Sequence, residues 1–72
     1  MTGDEVRRYE FHEEWRGYNP RQVDQLLEQI AGALDGGGPV SGLLVNVELG
    51  RSMRGYRRSD VDDLLEQLRL QS

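Results

Sequence analysis

The sequence predicts an all-α domain made of two tandem units, each with a short lead-in helix, an Arg-Gly-Tyr turn and a longer helix. The stretch "WRGYNPRQVDQLLEQ" is followed 38 residues later by "MRGYRRSDVDDLLEQ". An internal repeat has to be recognised first, because each copy is expected to form the same structural unit. The apolar residues after each turn recur at the spacing of one helix face. We therefore expect one domain over residues 1–72, with unit 1 at about 2–35 and unit 2 at about 40–71.

The first unit contains a short lead-in and a clearly delimited longer helix. Thr2 is expected to cap a helical turn over "GDEVRR". Asn19 is a good N-cap for the longer helix, Pro20 suits its first position and Gln22 stands at the capping-box position. The run "GGGP" is expected to end this helix. Its buried face is predicted to carry Val23, Leu26, Leu27, Ile30 and Leu34.

The second unit repeats this pattern with weaker caps. Ser41 is expected to cap a helix over "GLLVNVEL", although the same run is rich in residues that favour strands. Arg57 stands where unit 1 has Asn19 and is a poor cap, so Ser59 is expected to cap the longer helix, with Asp62 at the capping-box position. The buried face of this helix is predicted to carry Val61, Leu64, Leu65 and Leu68.

The connection between the longer helices is long enough to return the chain to its starting end. A helix of about 15 residues is about 22 Å long, and residues 35–57 can span that distance. We therefore predict that the two long helices lie parallel and pack together as a pseudo-twofold pair. The Gly of each turn, Gly17 and Gly55, is expected to need a positive φ or a close backbone approach. The facing residues would be Val23, Leu27 and Ile30 against Val61, Leu65 and Leu68.

The composition argues against several classes of protein. The chain has no Cys, and His12 is its only histidine, so we predict no disulfide, no metal site and no catalytic residue. The net charge of −4 argues against nucleic-acid binding. No apolar run approaches the ~20 residues of a membrane helix. We therefore expect a cytoplasmic protein that is not an enzyme and needs no cofactor.

The repeated motif resembles that of a known family. Each unit places an apolar residue before Arg-Gly-Tyr and then a Val-Asp pair, at Val23-Asp24 and at Val61-Asp62, before its Leu-rich helix face. This pattern resembles the N-terminal domain of the DivIVA/GpsB family of bacterial cell-division and growth scaffolds, in a tandem-repeat form. The resemblance implies a non-catalytic protein-interaction module in the bacterial cytoplasm or at the inner face of the membrane.

The chain departs from that family in one respect. Family members continue into a long coiled coil and pair through their helices, whereas each long helix here holds only about two heptads. The two units are therefore expected to pair with each other as a single-chain pseudo-dimer, with a homodimer as the alternative.

Two sets of polar side chains form the predicted partner-binding site. In each set the carboxylates are four residues apart and share a helix face, with no Lys or Arg in that face to neutralise them, so they could hold an Arg by bidentate bonds. The resemblance implies that this Arg belongs to a cytoplasmic segment of a membrane or cell-wall-synthesis protein. Alternatively the acids only stabilise helix N-termini, or Asp62 bonds Arg16 or Arg54. The two sets are Tyr18, Asp24 and Glu28, and Tyr56, Asp62 and Glu66.

The apolar-Arg turns are the second candidate site. Trp15-Arg16 and Met53-Arg54 combine an apolar side chain with a guanidinium, which suits a lipid headgroup layer, and the resemblance implies weak contact with anionic membranes. The alternative is that Trp15 and Met53 pack as core.

A self-association module is a further alternative, which follows if the leucine faces are only partly covered within one chain. The acidic "EFHEEW" and the basic "RSMRGYRR" are also expected to meet, within one chain or between chains.

Overall fold

The structure, a computed structural model, describes residues 1–45 and 47–71, so Asn46 and Ser72 lie outside the described residues. Helices and strands follow one another along the chain in the same order in its two halves. They are α1 (Gly3–Arg7), β1 (Glu13–Trp15), α2 (Pro20–Gly36), α3 (Ser41–Leu44), β2 (Arg54–Tyr56) and α4 (Arg58–Gln71).

The prediction of an all-α fold is wrong because two short segments form strands, one just before the first Arg-Gly-Tyr (Glu13–Trp15) and one at the second (Arg54–Tyr56). β1 and β2 pair antiparallel, with Glu14 opposite Gly55 and Trp15 opposite Arg54. The prediction that the long helices form a parallel pair is also wrong. α1 packs on α2, and α3 packs on α4 and α2, so each long helix has a short helix as its main backbone neighbour. Apolar residues of both lead-ins join the predicted faces of the long helices in one core.

The two Arg-Gly-Tyr segments cross at their tyrosines. The N–H of Tyr18 donates to the carbonyl of Tyr56 at 3.0 Å, and the N–H of Tyr56 donates to the carbonyl of Tyr18 at 3.0 Å. A Cβ on Gly17 would enter the carbonyl of Tyr56, and a Cβ on Gly55 would enter the carbonyl of Tyr18. Both glycines therefore serve the predicted close approach, while a positive φ in this region falls on Arg16, at 60°.

The helices of the first unit begin and end where the sequence predicts. Thr2 is the N-cap of α1, and its side chain accepts a hydrogen bond from the helix backbone. Asn19 is the N-cap of α2 and accepts from the N–H of Arg21 at 3.0 Å. α2 ends at Gly36, and Gly37 follows in the left-handed conformation with φ 71°, as is common at helix C-termini. These predictions are confirmed.

The lead-in of the second unit is shorter than predicted. α3 ends at Leu44, and Ser41 is its first residue rather than its cap. Val40 stands at the cap position without a side-chain hydrogen bond. Residues 47–50 are not helical, and Asn46, in the middle of the predicted helix, lies outside the described residues.

The start of α4 is stabilised by a residue of the other unit. α4 begins at Arg58, so the prediction that Ser59 is the cap is wrong. The N–H of Arg58 donates to the Glu14 carboxylate at 2.7 Å, and this bond lowers the pKa of Glu14. The same residues form an ion pair at 3.3 Å, so the acidic and basic segments meet within the chain. The corresponding position in α2 is Pro20, which has no N–H to donate.

A single core is built from both units. The predicted faces of α2 and α4 are buried, except that Leu26 and Leu34 are only partly covered. Each fully buried aliphatic side chain contributes about 1.5–3 kcal/mol. In residues 1–45 and 47–71 no helix has the length and apolar character needed to cross a membrane. The buried apolar residues are Val6, Val23, Leu27, Ile30, Ala31, Val40, Leu44, Val61, Leu64, Leu65 and Leu68.

Candidate functional site

The structure recombines the two predicted sets of binding residues. The hydroxyl of Tyr18 donates to Oδ1 of Asp62 at 2.9 Å, and the hydroxyl of Tyr56 donates to Oδ1 of Asp24 at 3.0 Å. Each tyrosine therefore belongs with the carboxylates of the other unit. The crossing at Tyr18 and Tyr56 causes this exchange, because it carries each tyrosine beyond its own long helix.

Two grooves flank the crossing. The Tyr18 groove has a volume of about 710 Å³, and the Tyr56 groove has a volume of about 470 Å³. The residues that line the Tyr18 groove are Tyr18, Gln22, Val47, Glu48, Leu49, Gly50, Asp62, Leu65, Glu66 and Arg69. Those that line the Tyr56 groove are Val6, Arg7, Tyr9, Glu10, Phe11, Asp24, Leu27, Glu28 and Tyr56.

The same positions of the repeat line both grooves. Seven positions occur in each groove, as residues 38 apart in the sequence, and Glu10 or Glu48 gives each groove a third carboxylate. Sequence reasoning missed these two glutamates as site residues, although they are identical at that offset. The seven pairs are Tyr9 and Val47, Glu10 and Glu48, Phe11 and Leu49, Tyr18 and Tyr56, Asp24 and Asp62, Leu27 and Leu65, and Glu28 and Glu66.

The loop that forms one wall of each groove is held by the long helix of the other unit. The backbone N–H of His12 donates to Asp60 at 3.0 Å, and that of Gly50 donates to the side chain of Gln22. The hydrogen bonds from His12 lower the pKa of Asp60. Gln22 therefore does not close the predicted capping box but bridges to the other unit.

Both groove tyrosines are held in the protonated form. Burial, and then the hydrogen bond to the aspartate, raises the pKa of Tyr18 and that of Tyr56 above the value of free tyrosine. Nearby Arg51 and Arg58 oppose the rise at Tyr18, whereas Glu13 adds to it at Tyr56. Each hydroxyl is thus a donor at neutral pH, and each aspartate keeps acceptor capacity for a second donor.

The Tyr56 groove contains an arginine of the chain itself. Arg7 donates to the two carboxylate oxygens of Glu28 at 3.1–3.4 Å and to Asp35 at 2.7 Å. The pKa of Asp35 is lowered by Arg7 and by the N–H of Gly3, and the two carboxylates raise the pKa of Arg7. Sequence reasoning missed Arg7, because no local pattern connects it to a helix that starts 13 residues later.

An arginine also lines the Tyr18 groove, but its contact with the groove carboxylate is longer. Nη1 of Arg69 lies 3.8 Å from Glu66, and its Nη2 donates to the carbonyl of Leu44 at 3.3 Å. The expectation that no arginine shares the helix face of these carboxylates is therefore wrong. The alternative in which Asp62 bonds Arg16 or Arg54 is also not seen, since its partner is Tyr18.

The apolar-Arg segments lie at the surface. Trp15 is 64% exposed and Met53 is 71% exposed, so the alternative in which they pack as core is wrong. The two segments are neighbours, because the N–H of Arg16 donates to the carbonyl of Met53 at 3.0 Å. Arg54 lies 3.6 Å from Glu13, which partly neutralises this end of the sheet.

Comparison of the chain with protein-family models, with curated proteins and with solved structures found no match. The resemblance to the DivIVA/GpsB family therefore stays a prediction that rests on the repeated motif. Within the described ranges no group of three or more acidic or histidine side chains is arranged to hold a metal ion. The two grooves and the exposed apolar-Arg end are the surfaces from which a function can be argued.

Proposed function

We propose that the chain is a non-catalytic protein-interaction module whose Tyr18 groove binds an arginine-bearing segment of another protein. The observation that supports this proposal is the contact made in the Tyr56 groove. That groove has the same carboxylates at the same positions of the repeat, and it holds the guanidinium of Arg7 at 3.1 Å from Glu28. The residue types of the groove are therefore suited to a guanidinium.

The Tyr18 groove offers acceptors for such a group. Tyr18 uses Oδ1 of Asp62, and the other Asp62 oxygen and the carboxylate of Glu66 line the same groove. Arg has a planar fork of donors that binds carboxylates in a bidentate manner. Arg51 borders the Tyr18–Asp62 pair and Arg69 lines the groove, so the segment is expected to carry one arginine among neutral or acidic residues.

The resemblance suggests which partner carries this segment. It points to a cytoplasmic segment of a membrane or cell-wall-synthesis protein in a bacterial cell. Under this proposal the chain acts as a scaffold in cell division, growth or shape, in the cytoplasm at the inner face of the membrane.

The test removes the two groove charges without changing the shape of the side chains. Asp62→Asn with Glu66→Gln is titrated with a short blocked peptide that has one central arginine among Gly, Ser and Glu. Because a hydrogen bond to a charged group is worth about 1.5–3 kcal/mol, we expect at least about a tenfold loss of affinity by NMR titration.

The matched control is Asp63→Asn with Glu5→Gln, which makes the same change in net charge. Both residues are exposed and lie outside the two grooves. We expect this protein to bind the peptide as the wild type does. Equal affinity of the groove variant and the control would contradict the proposal.

A second function is favoured by the exposure of Trp15 and Met53, which supports contact with an anionic membrane. Exposed apolar side chains beside arginine suit the headgroup region, although the net charge of −4 opposes the binding. Phosphatidylglycerol vesicles at low salt should co-sediment the wild type but not Trp15→Ser with Met53→Ser. Leu70→Ser is the matched control, since Leu70 is 78% exposed and lies on α4. No sedimentation of the wild type would exclude this function.

Self-association has less support from the structure. It follows from leucine faces that are only partly covered within one chain. On α2 this holds for Leu26 and Leu34, whereas the face of α4, Val61, Leu64, Leu65 and Leu68, is buried.

A further inference from the structure

We infer that Arg7 is an internal occupant of the Tyr56 groove, so that the chain accepts one external arginine, in the Tyr18 groove, and not two. This inference rests on the proposed function of the Tyr18 groove. It assigns different roles to two grooves that the repeat makes alike, and it identifies α1 as the element that closes one of them.

The contacts of Arg7 are those that an external guanidinium would need. Its Nε and Nη2 both reach Glu28, at 3.1–3.4 Å, and its Nη1 reaches Asp35 at 2.7 Å. All three guanidinium nitrogens are thus bonded to carboxylates. A second guanidinium would have to share Glu28 with Arg7, which already takes the bidentate position on both oxygens of that carboxylate.

The helix that carries Arg7 is fixed in place. The neighbouring Val6 is buried in the core, and the N–H of Gly3 donates to Asp35 at 3.1 Å. The N-cap residue Thr2 closes the first turn of α1. Since Arg7 is part of the same chain and its backbone is held, it competes at a high effective concentration with any arginine from solution.

Among residues 1–45 and 47–71, no arginine of the second lead-in pairs with the carboxylates of the Tyr18 groove. The position 38 residues after Arg7 is Val45, which is 63% exposed and has no charged group. The arginine that lines this groove, Arg69, comes from α4 and lies 3.8 Å from Glu66, compared with 3.1 Å between Arg7 and Glu28. Glu66 is therefore the less closely paired of the two glutamates, while both side chains are similarly exposed, at 63% for Glu66 and 67% for Glu28.

The experiment is an NMR titration of isotope-labelled protein with the single-arginine peptide. In the wild type we expect shifts of the Asp62 and Glu66 amides and none at Asp24 and Glu28, with one peptide bound per chain. In Arg7→Gln we expect shifts at both grooves and two peptides per chain. Arg7→Lys, which keeps the charge but lacks the fork, should open the Tyr56 groove less than Arg7→Gln does.

The control is Arg8→Gln, which removes an exposed arginine next to Arg7 and should behave as the wild type. The dispersion of the amide signals shows that each variant is folded. Shifts at both grooves of the wild type would overturn the inference and leave the proposed function intact. So would a Tyr56 groove that stays unshifted in both Arg7→Gln and Arg7→Lys. If the Tyr18 groove shifts in none of the proteins, the proposed function is overturned and the inference falls with it.

Discussion

The Tyr18 groove and the Tyr56 groove have carboxylates at the same positions of the repeat, but they differ in what those carboxylates contact. In the Tyr56 groove Arg7 reaches Glu28 at 3.1 Å, whereas in the Tyr18 groove the arginine contact of Glu66 is 3.8 Å long. The difference comes mainly from the lead-ins, where unit 1 has Arg7 and unit 2 has Val45. A repeated framework can therefore give two sites with different contacts through a sequence difference in the lead-ins, at Arg7 in α1 and at Val45 directly after α3.

What the grooves share is the crossing of the two Arg-Gly-Tyr segments, and breaking it should have the largest effect. A Cβ on Gly55 would enter the carbonyl of Tyr18, so Gly55→Ala is expected to cost about 3 kcal/mol or more. A domain of this size has only about 3–5 kcal/mol of stability, so we expect most of the protein to be unfolded by circular dichroism.

The control for this prediction is Gly32→Ala. Gly32 lies in α2, with open space where a Cβ would be, and alanine there should stabilise the helix by about 0.5–1 kcal/mol. A folded Gly55→Ala protein with wild-type stability would show that the crossing does not hold the grooves together.

Removing the tyrosine hydroxyls distinguishes their effect on stability, which the two grooves share, from their effect on peptide binding, which is expected only in the Tyr18 groove. Tyr18→Phe and Tyr56→Phe each remove one hydrogen bond to an aspartate, and each should lower the free energy of unfolding by about 1 kcal/mol. Only Tyr18→Phe should also weaken binding of the single-arginine peptide, because Asp62 then loses the hydrogen bond that positions it in the Tyr18 groove. Urea denaturation and NMR titration measure the two effects. A similar loss of peptide affinity in both variants would mean that the grooves are equivalent.

The pH dependence of stability should show the Arg7 contact as a smaller effect. Arg7 lowers the pKa of Asp35 in the folded protein, so the pair stabilises the fold above the ordinary Asp value near 4. That stability is lost as the pH falls through the lowered pKa, because the protonated Asp35 no longer pairs with Arg7. Asp35→Asn should therefore show a smaller drop of the urea midpoint between pH 7 and pH 3 than the wild type. The effect is small because these groups are exposed.

Asp63→Asn is the control for this measurement, since Asp63 is exposed and lines neither groove. It should keep the wild-type drop. An Asp35→Asn protein with the full drop would show that the Arg7–Asp35 contact does not contribute to stability.

Local signals predicted the helices of the first unit. The bounds of α2 follow from Asn19 and the glycines after it, which act through their own backbone. The strands β1 and β2 could not be predicted in this way. Each has three residues, without the alternation that marks a strand, and each forms only because the other unit supplies its hydrogen-bond partners. The start of α4 was misplaced for the same reason, because its first N–H bonds Glu14.

The sequence predicted six residues that line the grooves, but it did not predict how they pair, and it missed Glu10, Glu48 and Arg7. The repeat identified two tyrosines and four carboxylates, and the structure places all six of these side chains in the two grooves. Two equal copies cannot show whether Tyr18 meets Asp24 or Asp62, because that choice depends on how the segments cross. Arg7 was missed for a related reason, since its partners Glu28 and Asp35 lie 21 and 28 residues away in the sequence.

The most direct test of arginine binding compares two peptides that differ only in charge. One contains a single central arginine, and the other has citrulline at that position, which keeps the shape but carries no charge. With the wild-type protein we expect the arginine peptide to shift the amides of Asp62 and Glu66, and the citrulline peptide to leave them unchanged. Equal shifts with both peptides, or shifts only outside the Tyr18 groove, would contradict the proposal that this groove binds a guanidinium.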